Sequence, residues 1–306
     1  MLSFDSMMFI CMKEWRQFFS SLTGYIAIII FLLLLGLFLF VFPDSSMLDF
    51  GYATLDNFFD IAPFVLLFLV PTITMRSIAD EYKSGTFEIL RTLPLSPGKI
   101  VWGKYFGCLF VVAMALLPTI IYAYCLQLLS ARVNFSISNF QVRDFVHFKV
   151  GLLYGLSVFF ISRFSKNIII AFLLALVPAT IYVFSLLLFS ANAGIDVGAT
   201  IGSYIGLLML GAVFTAVGIC TSSFTNNTVV AFILSAFVCF LLYSGFGAIS
   251  KLPFFAAGAD YYIGMLGADF HYRSISRGVL DSRDILYFIA VIVIFLLITQ
   301  RNVTKR

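Results

Sequence analysis

Residues 22–42 read LTGYIAIIIFLLLLGLFLFVF, an apolar run without a single charged side chain. A helix that crosses the hydrocarbon core of a bilayer needs about 20 such residues. Across all 306 residues, 61% are hydrophobic and only 11% are charged, far less than in a soluble domain. The apolar runs lack the alternation that marks the strands of an outer-membrane barrel. The sequence therefore predicts an all-α polytopic membrane protein.

Working outward from this first run, similar apolar stretches recur along the chain and predict about eight transmembrane helices. The predicted spans are 22–42, 58–75, 100–129, 147–162, 167–190, 199–222, 226–248 and 284–300. The fourth is short and contains Lys149, which makes it the weakest of the eight.

The distribution of Lys and Arg predicts the orientation of these spans. If the N-terminus lies inside, the inside segments carry a net positive charge and the outside segments a net negative charge. We therefore expect a multi-pass protein of the bacterial inner (cytoplasmic) membrane, with both termini in the cytoplasm. Residues 1–21 mix aromatic residues with charged ones, which predicts an amphipathic helix in the membrane interface.

An internal similarity predicts how the spans are organised. The segment Ala115–Tyr122 resembles Ala175–Tyr182, sixty positions further on. If the similarity is a repeat, 132–191 is an inserted helical hairpin; chance similarity between two apolar helices is the alternative. The predicted organisation is then an interfacial helix (1–21), a first transmembrane part (22–131), the hairpin (132–191), and a second transmembrane part (192–306) with an outside segment at 249–283.

The loop that follows the second span is the most informative polar segment. The second helix is expected to continue beyond the membrane through Lys83, and Gly85 can adopt the left-handed conformation that ends a helix. Thr86 can cap a second, short helix, with Glu88 in its first turn, and Pro94 ends it.

Side chains on this short helix predict a docking surface. Phe87, Leu90 and Leu93 fall at helical spacing on one side, while Glu88 and Arg91 lie elsewhere on its surface. A short helix with an exposed apolar face beneath a membrane domain can dock in a groove of another protein.

The run from Glu81 to Ser96, EYKSGTFEILRTLPLS, together with Gly103 and Lys104, resembles the coupling loop of ABC-2-type transporter permeases. Four longer segments resemble more closely the gliding-motility-associated ABC transporter permease subunits (the GldF family). These segments are 37–56, 75–96, 198–214 and 271–284. Permeases of this type usually have six spans, so the hairpin 132–191 departs from the pattern.

The resemblance implies that the coupling loop, 76–98, docks on an ATPase subunit. The residues expected to make that contact are Glu81, Gly85, Thr86, Phe87, Glu88, Leu90, Arg91, Leu93 and Pro94. It also implies three protein partners: an ABC ATPase subunit, a second permease subunit in a homo- or heterodimer, and an auxiliary membrane subunit with a large outside domain. ATP and magnesium would then bind in the ATPase, and this chain would bind no cofactor and no nucleic acid.

One segment imitates a nucleotide-binding loop. Residues 98–104 fit the spacing GxxxxGK, but Tyr105 replaces the Ser or Thr that would bind magnesium, and an apolar span follows directly. We interpret Lys99 and Lys104 as inside-facing charges near lipid headgroups. The five cysteines have no ligand spacing and the two histidines are far apart, so no metal site is expected.

A row of small residues opens the sixth span. Gly198, Gly202 and Gly206 recur every four residues, which lets another helix approach closely, either within the chain or across a dimer.

Two rival functions remain at this point. An ATPase-independent secondary transporter or channel would place ionisable groups at mid-membrane depth, and apart from Lys149 we find none well inside a predicted span. A membrane-embedded enzyme would need an acid/base cluster, for which Asp269 and Asp281 near His271 are the only candidates.

Overall fold

A computed structural model describes residues 2–40, 42, 55–88, 96–123, 196–255, 258–279 and 281–305. Within these ranges the regular structure is helical and contains no strand, which confirms the predicted fold class. Six segments of the described residues, each a single helix or a run of consecutive helices, are long and apolar enough to cross a membrane. The predicted spans 147–162 and 167–190, and with them the predicted hairpin 132–191, lie outside the described residues.

We number the described helices in chain order and give their bounds here. They are α1 (Leu2–Ser20), α2 (Leu22–Phe40), α3 (Asp56–Thr74), α4 (Ala79–Ser84), α5 (Pro97–Leu116), α6 (Val197–Phe224), α7 (Thr228–Phe240), α8 (Phe246–Ser250), α9 (Ala259–Met265), α10 (Ala268–Ser276) and α11 (Ser282–Lys305). A 3₁₀ turn, Leu117–Thr119, follows α5, and a π-helical segment, Leu241–Gly245, joins α7 to α8.

Helix α6 lies at the centre of the bundle. It packs against α3, α5, α7, α10 and α11. Within its apolar span 83% of the residues are buried, against 22% for α7 and for α11. The outer helices therefore keep large aliphatic side chains on the surface, as a bilayer allows because lipid tails are as apolar as those side chains.

The small residues of α6 serve contacts within the chain. A Cβ atom at Gly202 would lie 2.7 Å from the carbonyl oxygen of Ile275, and one at Gly206 would lie 3.2 Å from the ring of Tyr272. Both neighbours belong to α10. Gly202 and Gly206 therefore serve a contact within the chain. A Cβ atom at Gly198 would lie near Asp196, which precedes α6, and the backbone of Gly198 lies beside Gly278.

The predicted amphipathic helix is present as α1, and it packs on the protein. Its closest contact is with α5, where a Cβ at Gly103 would lie 2.9 Å from Ile10 and a Cβ at Gly107 would lie 2.8 Å from Glu14. Phe9 remains 74% exposed. One side of α1 is therefore covered by α5, and another side is exposed; the position of that side in the membrane interface stays a prediction.

The helix that contains the second span is interrupted, contrary to the prediction that it continues through Lys83. It ends at Thr74, and a turn over residues 75–78 separates it from α4. Pro63 and Pro71 lie inside α3, and the Met75 amide donates to the carbonyl of Pro71. We refer to the end of the bundle that carries α1 and α4 as the α4 end.

The predicted outside segment lies at the opposite end and folds into short helices, α8 to α10. The α10 helix is held from two sides, because the Tyr272 hydroxyl donates to the Phe59 carbonyl at 2.7 Å and the Ser203 hydroxyl donates to the Ser276 carbonyl at 3.0 Å. Its attachment to α3 and α6 makes α10 part of the bundle rather than a free loop.

The contact between α6 and α10 yields a stability prediction. We expect Gly202→Ala to destabilise the protein by about 1–3 kcal/mol, because the new methyl group meets backbone atoms that cannot rotate away. Thermal unfolding in detergent measures the effect. Gly247→Ala is the matched control, since no atom lies within 4 Å of the added carbon. Equal melting temperatures for the two variants would contradict the close packing of α6 on α10.

Candidate functional site

The predicted coupling loop, 76–98, contains α4 and turns at Gly85. The residue has φ of 69°, in the left-handed region that glycine adopts without strain, as predicted. Lys83, Ser84, Thr86 and Glu88 are exposed around this turn, and residues 86–88 are again helical. We call residues 83–86 and 88 the exposed tip.

Two residues of the predicted docking surface face the protein instead of the solvent. Phe87 is only 4% exposed and packs edge-on against Tyr82, with ring centroids 4.7 Å apart. Glu81 is 6% exposed. In this structure each of the two side chains is covered by its own chain, and their contact with a partner stays a prediction.

The remaining predicted contact residues are distributed as follows. Gly85, Thr86 and Glu88 lie on the exposed tip. Leu90, Arg91, Leu93 and Pro94 lie outside the described residues, so their place on an apolar face stays a prediction.

The N-terminus of α4 is held by a side chain of the central helix. The hydroxyl of Ser222 accepts hydrogen bonds from the amides of Ile78, at 3.2 Å, and Ala79, at 3.0 Å, and donates to the Met75 carbonyl at 3.1 Å. The first amides of a helix have no partner inside it, and Ser222 supplies one from α6. It thereby fixes the turn between α3 and α4.

A buried ionic cluster ties the same segment to α1 and α5. The Lys104 ammonium group lies 2.6 Å from Glu14 Oε1, 2.9 Å from Glu81 Oε2 and 2.6 Å from the Ser77 carbonyl. Lys13 pairs with the other oxygen of Glu81 at 2.9 Å. The Glu14 oxygen and the Ser77 carbonyl accept hydrogen bonds from the Lys104 ammonium group, and Glu81 Oε2 makes an ionic contact with it. We call Lys13, Glu14, Glu81 and Lys104 the ionic cluster.

The burial of Lys104 corrects its predicted position near lipid headgroups. Its side chain is 1% exposed, and Glu14 and Glu81 are 9% and 8% exposed. A buried cation needs paired anions, since an isolated one would cost far more than the fold can supply. With two cations and two anions, the cluster is neutral and joins α1, α4 and α5 into one unit.

The signal for the cluster in the sequence is weak. Glu14 and Lys104 are 90 positions apart, and Lys13 and Glu81 are 68 apart. The indication was Lys104 itself, a charge in the eighth position of α5 that is followed within that helix only by uncharged residues. Which anions approach it depends on how three helices pack, and a single sequence does not specify that.

The described residues do not form the phosphate-binding loop or a metal site, the two other kinds of site considered from the sequence. Lys104 sits within α5 and is occupied by carboxylates, so residues 98–104 do not form a phosphate loop. In the part of the chain that the structure describes, no three His, Cys, Asp or Glu side chains are grouped as a metal would require. Burial, and then the nearby Glu14, raise the pKa of the Cys11 thiol, which suits a packing residue.

At the opposite end, His271 pairs with Asp284 and not with Asp269 or Asp281, the two carboxylates considered from the sequence. Its Nδ1 lies 2.7 Å from Asp284 Oδ1, and its Nε2 lies 2.9 Å from the Met265 carbonyl. Asp269 instead pairs with Arg273. With both imidazole nitrogens engaged by α9 and α11, His271 has no nitrogen left for a nucleophile, so a structural role fits better than acid/base catalysis.

Comparison with protein families places most of the described α4 end inside a known family pattern. A family model described as ABC-2 family transporter protein matches residues 11–182, more than half of the chain. The matched range contains most of α1, all of α2 to α5, and the ionic cluster. It also runs through most of the predicted hairpin. No curated protein matches the chain.

The Ser222 contact yields a prediction about α4. We expect Ser222→Ala to weaken the turn at residues 75–79 by about 0.5–2 kcal/mol, as loss of a helix cap does. Hydrogen exchange of the Ile78 and Ala79 amides should become faster. In the control, Thr221→Val, the lost hydroxyl bonded only to a carbonyl of its own helix, Gly218. Unchanged protection in Ser222→Ala would show that the cap contributes nothing.

The ionic cluster yields a prediction about stability. We expect Lys104→Met to destabilise the protein by about 3–5 kcal/mol, because it leaves two buried carboxylates without their shared cation. Adding Glu14→Gln should recover part of that loss. The control is Lys99→Met on the same helix, since Lys99 takes part in none of the described salt bridges. Additive effects in a double-mutant cycle would contradict the cluster.

Proposed function

The chain belongs to the ABC-2 family of transporter proteins, and from this premise we propose that it is the permease subunit on which a separate ATPase acts through the exposed tip. Its apolar helices make it a multi-pass membrane protein. Members of the family pair with an ATPase subunit. The contacts around the exposed tip indicate where that subunit docks and how its motion reaches the spans.

The attachment of the exposed tip to the rest of the bundle carries the proposal. The tip itself is accessible, yet α4 just before it is fixed to α6 by Ser222 and to α1 and α5 by the ionic cluster. A partner that pushes on the tip therefore displaces several helices and not a loose loop. Packed elements transmit displacement because interiors are dense and deform little.

In this mechanism, ATP binding closes a pair of ATPase subunits and shifts the exposed tips that dock in them. The shift passes through the ionic cluster to α5 and through Ser222 to α6. ATP and magnesium bind in the ATPase, and this chain contributes the membrane path and no nucleotide chemistry. The α4 end would lie in the cytoplasm of a bacterium, with both chain termini, in agreement with the distribution of Lys and Arg.

The resemblance to gliding-motility permeases supports a more specific assignment. Under this assignment, the complex would contain a second permease subunit and an auxiliary membrane subunit with an outside domain. The work done per ATP would move a substrate outward or act mechanically on that outside domain. Loss of movement over surfaces in source cells that carry Leu90→Asp would support this assignment, and normal movement would oppose it.

The alternative is a secondary transporter or channel that needs no ATPase. It would require ionisable groups that bind a coupling ion at mid-membrane depth. The charges of the ionic cluster instead neutralise one another, and Lys13 and Glu14 belong to α1, which precedes the first span. Activity of the purified chain alone would favour this alternative.

The docking test compares charge reversals at the two ends of the bundle. We expect Glu88→Arg to lower co-purification of the ATPase at least about tenfold, because a reversed charge opposes a complementary surface. Leu90→Asp, and deletion of 86–93, should abolish it while membrane insertion persists. The matched control is Asp260→Arg, an exposed acid at the opposite end. Normal recovery of the ATPase with all three coupling variants would rule out the tip as the docking element.

A further inference from the structure

A cavity at the α4 end lies beside the ionic cluster. It has a volume of about 310 Å³ and lies between α1, the beginning of α2, the end of α3, the turn before α4, and α5. Ligand pockets begin at about this size. Its lining includes Ser21, Thr23, Arg76 and Asp80, the apolar Ile73 and Val111, and Glu14, whose carboxylate is already paired with Lys104.

Two charged side chains that line the cavity, Arg76 and Asp80, form no salt bridge with each other. Arg76 donates one hydrogen bond to the hydroxyl of Thr23 at 3.0 Å. Neither Arg76 nor Asp80 takes part in any salt bridge among the described residues, although both line this cavity. A guanidinium and a carboxylate that share a partly enclosed space without pairing are matched to a ligand that carries both an anion and a cation.

An exposed apolar stripe begins beside the cavity. On α2, Leu22 is 75% exposed, Ile26 is 45% exposed and Ile29 is 59% exposed, and Ile30 and Leu33 continue the same surface. Leu22 precedes Thr23 of the cavity wall in the chain. A hydrocarbon chain can lie along this stripe while its polar end enters the cavity, which favours a lipid over a water-soluble ligand.

We propose that this cavity binds the headgroup of a phospholipid with a primary ammonium group, of the phosphoethanolamine type. The phosphodiester accepts hydrogen bonds from Arg76 and from one of the hydroxyls of Ser21 and Thr23, since these two share a hydrogen bond and leave a single O–H to donate. The ammonium group donates to Asp80. A choline headgroup has no N–H with which to contact that carboxylate, and a glycerol headgroup has no cation. The bound lipid would bridge α2 and the coupling segment, a role that goes beyond ATPase docking.

The test measures lipid retained by the full chain. Protein is reconstituted into nanodiscs of phosphatidylethanolamine and phosphatidylglycerol in equal amounts, extracted with mild detergent, and analysed by native mass spectrometry. We expect the parent protein to retain phosphatidylethanolamine preferentially. Arg76→Gln should lower retention of both lipids about tenfold, the size expected for a charge-assisted hydrogen bond. Asp80→Asn should lower retention of phosphatidylethanolamine alone.

Two further variants separate binding from folding. Arg76→Lys keeps the charge and should retain lipid better than Arg76→Gln. Arg301→Gln removes an exposed charge of α11 that forms no salt bridge within the described ranges, and it should retain lipid as the parent does. Melting temperatures close to that of the parent establish that the variants are folded.

Three results would overturn the proposal. One is equal retention by Arg76→Gln, Asp80→Asn and Arg301→Gln. Another is an equal loss of phosphatidylglycerol and phosphatidylethanolamine in Asp80→Asn, because the carboxylate would then not distinguish the headgroup that carries an ammonium group. The last is complete displacement of the lipid by millimolar phosphoethanolamine, which would make a water-soluble compound the occupant.

Discussion

The ammonium group of Lys104 lies where α1, α4 and α5 meet, and the arrangement of the α4 end depends on how it is neutralised. It donates hydrogen bonds to Glu14 and to the Ser77 carbonyl and makes an ionic contact with Glu81. Because these oxygens belong to α1 and to the segment formed by the turn and α4, one buried cation on α5 fixes three helices against each other. The cost of leaving it unpaired makes that arrangement specific.

The central helix α6 completes the arrangement from the other side. Its Gly202 and Gly206 allow α10 to approach closely, its Gly218 lies against Thr74 of α3, and its Ser222 caps α4. One helix therefore contacts both α10 and α4. Since α6 is largely buried while α7 and α11 are largely exposed, the contact with α4 is made by the buried centre of the bundle.

Several features of this end were predictable and others were not. The positive φ of Gly85 was expected, because few other residues would end a helix there, and α1 was expected from its mixed composition. The continuous second helix was not confirmed: it breaks after Thr74, where the turn is fixed by Ser222 from a helix nearly 150 positions away. Phe87 and Glu81 were expected on a docking face, and contacts with Tyr82 and Lys104 bury them instead.

The sequence by itself determined the class of this protein. Long uncharged runs can satisfy their backbone groups in a bilayer only as helices, so composition and run length sufficed to predict an all-α membrane protein. The partners of Lys104, the cap on α4 and the unpaired charges of the cavity were decided only by the tertiary structure. The first two depend on side chains tens to more than a hundred positions apart, which helix packing brings within hydrogen-bonding distance and local patterns do not encode. Arg76 and Asp80 are only four positions apart, but the cavity that they line is formed by the packing of α1, α2 and α5 around them.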